Sequence, residues 1–286
     1  MNQNSPRPPH PPPPAPGDVA PAHALNWLAE GWRLFMKAPG LWIIQALLFF
    51  IIIAALGMLP FLGWAAAPGA LPVLVAGMLS GAQALDRGEP LRIDALFDGI
   101  RRHAGNLLLV GAFHLLGLLL AAMAAAAVGG SAALTGMAVG ALAGAGVAAG
   151  GMMLGVLVFT VLWALVMMAM WFAPALVMLH EVAPLDAMRL SVRACVHNLL
   201  AFIVLAALLY VGVWVAMLPA GLGMLVLIPV TAGALYAAWK ETFAQAPALP
   251  GPEPTPPAGT TPAAPEPPAP PSAPGPDAPP GDTPRP

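Results

Sequence analysis

Residues 103–180 read HAGNLLLVGAFHLLGLLLAAMAAAAVGGSAALTGMAVGALAGAGVAAGGMMLGVLVFTVLWALVMMAMWFAPALVMLH, a run with no Asp, Glu, Lys or Arg. About 20 apolar residues cross the hydrocarbon of a bilayer, so the run is long enough for three crossings. Its flanks limit it to two. Arg101 and Arg102 lie just before it, and Arg189 and Arg193 follow it. An odd number of crossings would put these pairs on opposite sides, against the bias of basic residues toward the cytoplasm. The run is therefore expected to form a hairpin, with crossings at about 107–128 and 150–173 joined by a Gly/Ala-rich stretch.

The same reading extends outward. The intervals from Lys37 to Arg87 and from Arg193 to Lys240 are mostly apolar, and each is long enough to cross and return. They predict crossings at about 39–59 and 65–85, then at 199–217 and 221–239. All Lys and Arg residues then share one side. The predicted fold is all-α: a polytopic integral membrane protein of six transmembrane helices in three hairpin repeats, with short interfacial amphipathic helices. Trp64 and Trp214 fall near the outer turns and Trp42, Trp171 and Trp239 near the basic ends, as in interfacial aromatic belts. Pro68, Pro72 and Pro229 fall in or near crossings, where neighbouring helices can satisfy the freed carbonyls.

Composition agrees with that class. The chain is 59% hydrophobic and 8% charged, with a mean hydropathy of +0.79; a soluble domain carries about a quarter charged residues. A net charge of -2 gives no electrostatic case for nucleic acid. Cys195 is the single cysteine, so no disulfide forms within the chain. The start of the chain is Pro-rich where a signal peptide would be apolar, and the first crossing is expected to act as an uncleaved signal-anchor. Residues 1–22 and 246–286 are expected to be disordered Pro-rich tails flanking a transmembrane domain at 23–245.

A short amphipathic segment precedes each outward crossing, and the three align without gaps. Leu25, Ile93 and Leu185 correspond, as do Leu28, Leu96 and Met188, then Trp32, Ile100 and Val192. These positions form one helical face. Asn26, Asp94 and Asp186 correspond on the polar side, as do Arg33, Arg101 and Arg193, with Gly31, Gly99 and Ser191 two residues before the arginines. Asn106 and Asn198 are expected N-caps of the next crossings, with Ala38 in the first copy. The spacing is 68 residues from Gly31 to Gly99 and 92 from Gly99 to Ser191. The excess of 24 matches the Gly/Ala-rich stretch, which reads as an insertion at 131–150, helical or re-entrant. Within it Gly136, Gly140 and Gly144 recur every fourth residue, a spacing that lets helices approach closely in lipid; low-complexity drift explains it equally well.

The segments are expected to lie in the cytoplasmic interface, with Arg33, Arg101, Arg102 and Arg193 near lipid phosphates. His114 and Gln45 are the polar side chains placed inside crossings, each expected to hydrogen-bond a neighbouring helix. His180-Glu181 lacks the second His of a zinc helix, and Pro184 breaks the helix where that His would stand. Cys195 reads as packing.

Trp171-Phe172-Ala173-Pro174-Ala175-Leu176-Val177, followed by His180, Pro184, Ser191, Ala194 and Asn198-x-x-x-Phe202, resembles the signature of a bacterial six-pass inner-membrane family known by a locus-derived name. Gly31-Trp32-x-Leu34-Phe35 more remotely resembles the membrane domain attached to some glycerophosphodiester phosphodiesterases. The resemblance spans roughly residues 24–240 and carries over no catalytic or binding residue. The Pro-rich tails and the Gly/Ala-rich insert depart from the family pattern. The chain is accordingly expected in a bacterial inner membrane with both termini cytoplasmic, as a non-enzymatic envelope protein without cofactor or metal. Its expected partners are the bilayer, anionic headgroups and a membrane protein. The alternative is a transporter or channel for an apolar or amphiphilic solute.

Overall fold

A computed structural model describes residues 15–243, and the described residues form helices and turns without a strand. The order is α1 (His23–Lys37), α2 (Pro39–Gly57), α3 (Gly63–Asp86), a 3-10 turn (Ile93–Phe97), α4 (Asp98–Val139), α5 (Ala141–His180), α6 (Pro184–His197), α7 (Leu199–Met217) and α8 (Met224–Phe243). Five segments are long and apolar enough to cross a membrane: Pro39–Gly57, Gly63–Asp86, Ile93–Val139, Gly144–His180 and Leu199–Met217. A helix stands at the sixth expected crossing as well. That helix, α8, starts only at Met224 and carries Lys240 and Glu241 in its last turns, which shortens its apolar run.

The core lies where the ends of the long helices meet the short amphipathic ones. Trp27 and Leu34 of α1, Trp42 of α2, Leu79 of α3, Phe172 and Leu176 of α5, Ala194 of α6 and Leu205 of α7 are almost fully buried. Phe202 of α7 stacks on Trp27 at 5.4 Å between ring centres and meets Phe172 edge-on at 5.3 Å, while Phe172 meets Phe243 of α8 edge-on at 5.3 Å. Edge-on aromatic pairs add about 0.5–1.5 kcal/mol each beyond their buried area. Away from this cluster the long helices expose large apolar side chains, among them Ile51, Leu120, Met153 and Val211, as a lipid-facing surface does.

The stretch at 131–150 is helical. The expected crossings at 107–128 and 150–173 are parts of longer helices that run on through the Gly/Ala-rich stretch and break once, at Gly140 (φ 101°, ψ 165°). A positive φ of that size suits glycine and ends a helix abruptly. With 40 residues, α5 is about 60 Å long, twice the thickness of the hydrocarbon layer. Gly136 and Gly144 face each other so closely that a Cβ on Gly136 would stand 3.2 Å from the Ala148 nitrogen and collide with the Gly144 carbonyl. The glycine spacing is thus a packing device between the two helices.

Three further expectations are corrected. Asn106 lies inside α4, whose one non-helical residue is His103 (φ -138°, ψ 33°), so the bend precedes the asparagine. Asn198 stands between α6 and α7; its side chain does not cap the start of α7 as expected, and its Nδ2 instead donates to the Ala194 carbonyl in the last turn of α6 at 3.3 Å. It accepts from the Val19 amide at 2.8 Å and donates to the Gly17 carbonyl at 2.9 Å. With the Gly17 amide on the Thr242 carbonyl at 2.8 Å, these bonds hold residues 17–19 against the bundle, within the stretch expected to be a free tail through residue 22. The rest of that expected tail, residues 1–14, and all of 246–286 lie outside the described residues. Finally, Trp42 and Trp239 belong to the core and not to an aromatic belt, whereas Trp64 and Trp214 are exposed.

Candidate functional site

The three amphipathic segments dock on the bundle in a common way. In α1, Gly31 lies on α8, where an added Cβ would strike the Val230 carbonyl and stand 2.7 Å from the Ala234 nitrogen. At the start of α4, Gly99 lies on the Val73 carbonyl of α3. In α6, the Ser191 hydroxyl donates to the Met168 carbonyl of α5 at 2.5 Å and accepts from the Phe172 amide at 2.9 Å. Each contact joins a small residue to one backbone carbonyl of a long helix. Pro72 and Pro229 directly precede that carbonyl's residue in α3 and α8. The small residue faces inward, and the aligned apolar positions divide: Leu25, Ile93 and Leu185, with Trp32 and Ile100, are exposed, whereas Leu96 is fully buried and Leu28, Met188 and Val192 are half-buried.

The four expected contact arginines are all exposed, but they are not equivalent. Arg33 grips Glu30 through two hydrogen bonds and approaches Asp86 at 3.9 Å. The Arg33 guanidinium holds the Glu30 carboxyl below the usual carboxylate range. Arg101 donates to Asp94 at 2.7 Å. Arg102 and Arg193 form no ion pair among the described residues. The structure does not bring the four together, since they belong to three segments packed on three different helices.

Gln45 is fully buried in α2. Its Nε2 donates to the Arg92 carbonyl at 2.7 Å, tying α2 to the loop before the 3-10 turn, while its Oε1 has no partner among the described residues. His114 of α4 is also buried, and its Nδ1 has no hydrogen-bond partner among the described residues, contrary to the expected helix contact. His180 rests on the Trp239 ring at 5.0 Å, and Glu181 ends α5 in a left-handed conformation.

Two polar clusters were not anticipated. Asp86, at the end of α3, accepts from Tyr236 at 3.0 Å and Lys240 at 2.7 Å. Beside it Glu241 accepts from the Trp27 indole at 2.6 Å and meets His23. These contacts fasten α1 and α8, one at each end of the described chain, to α3. The second cluster surrounds a cavity of about 370 Å³ between the end of α3 and the start of α4, walled by Ser80, Gln83, Arg87, Arg92, Arg101 and Arg102 with Glu89 and Asp98. Its sequence signal was the density of arginine from 87 to 102, of which Arg101 and Arg102 were expected near lipid phosphates while Arg87 and Arg92 were given no contact role. A third opening is apolar: about 910 Å³ between α1, α7 and α8, lined by Leu28, Trp32, Leu208, Val215, Val226 and neighbouring residues.

The chain belongs to the family described as Domain of unknown function (DUF7847), whose model matches residues 34–269. It matches no curated protein and no solved structure.

Proposed function

We propose that this member of the DUF7847 family is a six-pass protein of a bacterial inner membrane, with both termini in the cytoplasm, that organises partners or lipids without catalysing a reaction. The observation that carries this reading is the shared docking of Gly31, Gly99 and Ser191 on the carbonyls of Val230, Val73 and Met168. It supports three parallel repeats arranged in a ring. Each amphipathic segment sits on the return helix of the hairpin before it, and the ring closes where α1 meets α8. Repeats that all start on one side of the membrane share an axis along its normal. The ring gives one rigid cytoplasmic plate with outward apolar positions to enter the interface and exposed arginines beside them, an arrangement suited to anionic headgroups or a membrane-protein partner.

Gentle purification of the full chain from its native membrane, followed by mass spectrometry of the proteins and lipids that travel with it, tests the role. A stoichiometric protein, or an anionic lipid enriched over the bulk membrane, is expected. Recovery of neither counts against it.

The apolar opening between α1, α7 and α8 favours a second reading, a carrier of an apolar or amphiphilic solute. Its volume of about 910 Å³ is at the upper end for ligand clefts, roughly 300–1,000 Å³. Liposomes containing the protein would then accelerate exchange of a fluorescent lipid between leaflets, and unchanged exchange would leave the contact role alone.

A further inference from the structure

We infer that the arginine-walled cavity between α3 and α4 is a binding site for a phosphate group. This deepens the contact role proposed above and rests on it for the lipid-borne form of the ligand.

The geometry of the charges carries the inference. Four guanidinium groups, those of Arg87, Arg92, Arg101 and Arg102, wall a cavity of about 370 Å³, within the size range of small-ligand sites. Two are paired with acids. Arg92 donates to Asp94 at 3.1 Å, and Arg101 donates to the same carboxylate at 2.7 Å. Asp98, which accepts from the Ser80 hydroxyl at 2.8 Å, lies 3.8 Å from Arg92 and 3.9 Å from Arg101. The other two, Arg87 and Arg102, have no ion pair among the described residues. Setting these four cations against Glu89, Asp94 and Asp98 leaves one positive charge in excess. Like charges held around one cavity repel, and an anion relieves that repulsion. Guanidinium groups match phosphate oxygens in paired, planar hydrogen bonds, and Ser80 and Gln83 add neutral polar side chains to the wall.

A second groove shows where the rest of such a ligand can lie. On the neighbouring stripe of α4, Ile100, Ala104 and Leu108, with Phe97 at the end of the 3-10 turn, line an apolar groove of about 270 Å³ with Ile52 and Leu56 of α2. The start of α4 thus presents a cationic face and an apolar face side by side, as the phosphate and chains of a phospholipid require. A free phosphate satisfies the cationic face alone.

The test uses the full chain in neutral detergent with two probes: phosphatidylglycerol against phosphatidylcholine, read by native mass spectrometry, and inorganic phosphate against chloride at equal ionic strength, read by thermal unfolding. The variant is Arg87→Gln with Arg102→Gln, chosen because neither side chain is held by an acid of the protein. Arg189→Gln is the control, outside the cavity and already paired with Asp186 at 3.2 Å, and Arg87→Lys with Arg102→Lys retains charge but not the fork. Wild type is expected to retain phosphatidylglycerol, or to be stabilised by phosphate, with binding at least about tenfold weaker in the Gln pair, intermediate in the Lys pair and unchanged in Arg189→Gln. Preference for the lipid assigns a headgroup; response to phosphate alone assigns a soluble ligand. Equal binding by the Gln pair and wild type, or equal loss in Arg189→Gln, overturns the site. If the Gln pair still enriches anionic lipid, the cavity is ruled out and the contact role stands. If wild type binds neither probe yet retains a protein partner, the same holds.

Discussion

Cys195 shows how far one side chain can report on the plate. It lies on the inward face of α6, 2% exposed, with its Sγ 3.7 Å from the same Met168 carbonyl that Ser191 bonds. Burial pushes the thiol up from its ordinary 9.0 to about 12, against the opposing pull of the Ser191 hydroxyl. A folded pKa raised above the unfolded one means that stability is intact below pH 9 and is lost as pH climbs from 9 toward 12, where the unfolded thiol ionises first. Relative to Cys195→Ala, wild type is expected to lose up to about 1.4 kcal/mol per pH unit in that window, read from denaturation midpoints. Equal pH profiles would show that the thiol is not packed as described. The inward face that holds Cys195 also explains the residues behind the family resemblance. Phe172, Ser191, Ala194, Asn198 and Phe202 are all buried and contact one another or the chain beside them. They could be noticed as a pattern in the sequence, but their partnerships, such as Asn198 with Gly17, link residues far apart in the chain and leave no periodic trace. Trp27 and Trp42 were hidden for a related reason. Hydropathy places a tryptophan near an interface but cannot say whether a neighbouring helix covers it.

At the scale of elements, the pair α4 and α5 was half legible. The absence of charge from 103 to 180 and the parity of the flanking arginines fixed a hairpin, but periodicity could not tell a re-entrant loop from two continuous helices in a stretch so rich in Ala and Gly. Contacts across the hairpin make the choice. Beyond Gly117, which lies on Val166, the approach is maintained by Gly129 near Gly151 and Gly155, Gly151 near Ala132, and Gly144 near Gly136. A side chain at Gly144 must push the two helices apart. Such overpacking costs about 1–3 kcal/mol, but here the strain falls near the break at Gly140, far along the hairpin from the aromatic core. Gly144→Leu is therefore expected to speed amide exchange about 10- to 100-fold over 128–152 while leaving 172–178 protected. Gly146→Leu, at a position where an added Cβ meets nothing within 4 Å, is expected to change neither region. Similar behaviour of both variants would mean that glycine contacts do not hold the hairpin together.

For the whole molecule, the proposed sidedness of charge and the proposed ring stand or fall together. Arg33, Arg101 and Arg193 occupy matching places in three segments whose small residues dock alike, and the proposed repeats require every segment to start from the same side of the membrane. An odd crossing anywhere would invert one segment and carry its arginines across. The closing contacts need the same condition, because Asp86 from the first hairpin meets Tyr236 and Lys240 from the last. Single cysteines can test it without removing Cys195, which is buried and protonated at neutral pH. Leu62, in the turn before α3, is 66% exposed; Pro90 is in the loop after α3, and the Asp186 side chain is 62% exposed in α6. In intact cells, Leu62→Cys is expected to react with a membrane-impermeant maleimide, whereas Pro90→Cys and Asp186→Cys react only after permeabilisation. If Pro90→Cys and Asp186→Cys label on opposite sides, the middle hairpin crosses an odd number of times and the three segments cannot be repeats. If all three labels are reversed, the arginine plate faces outward, and its partners must be sought on that side of the membrane.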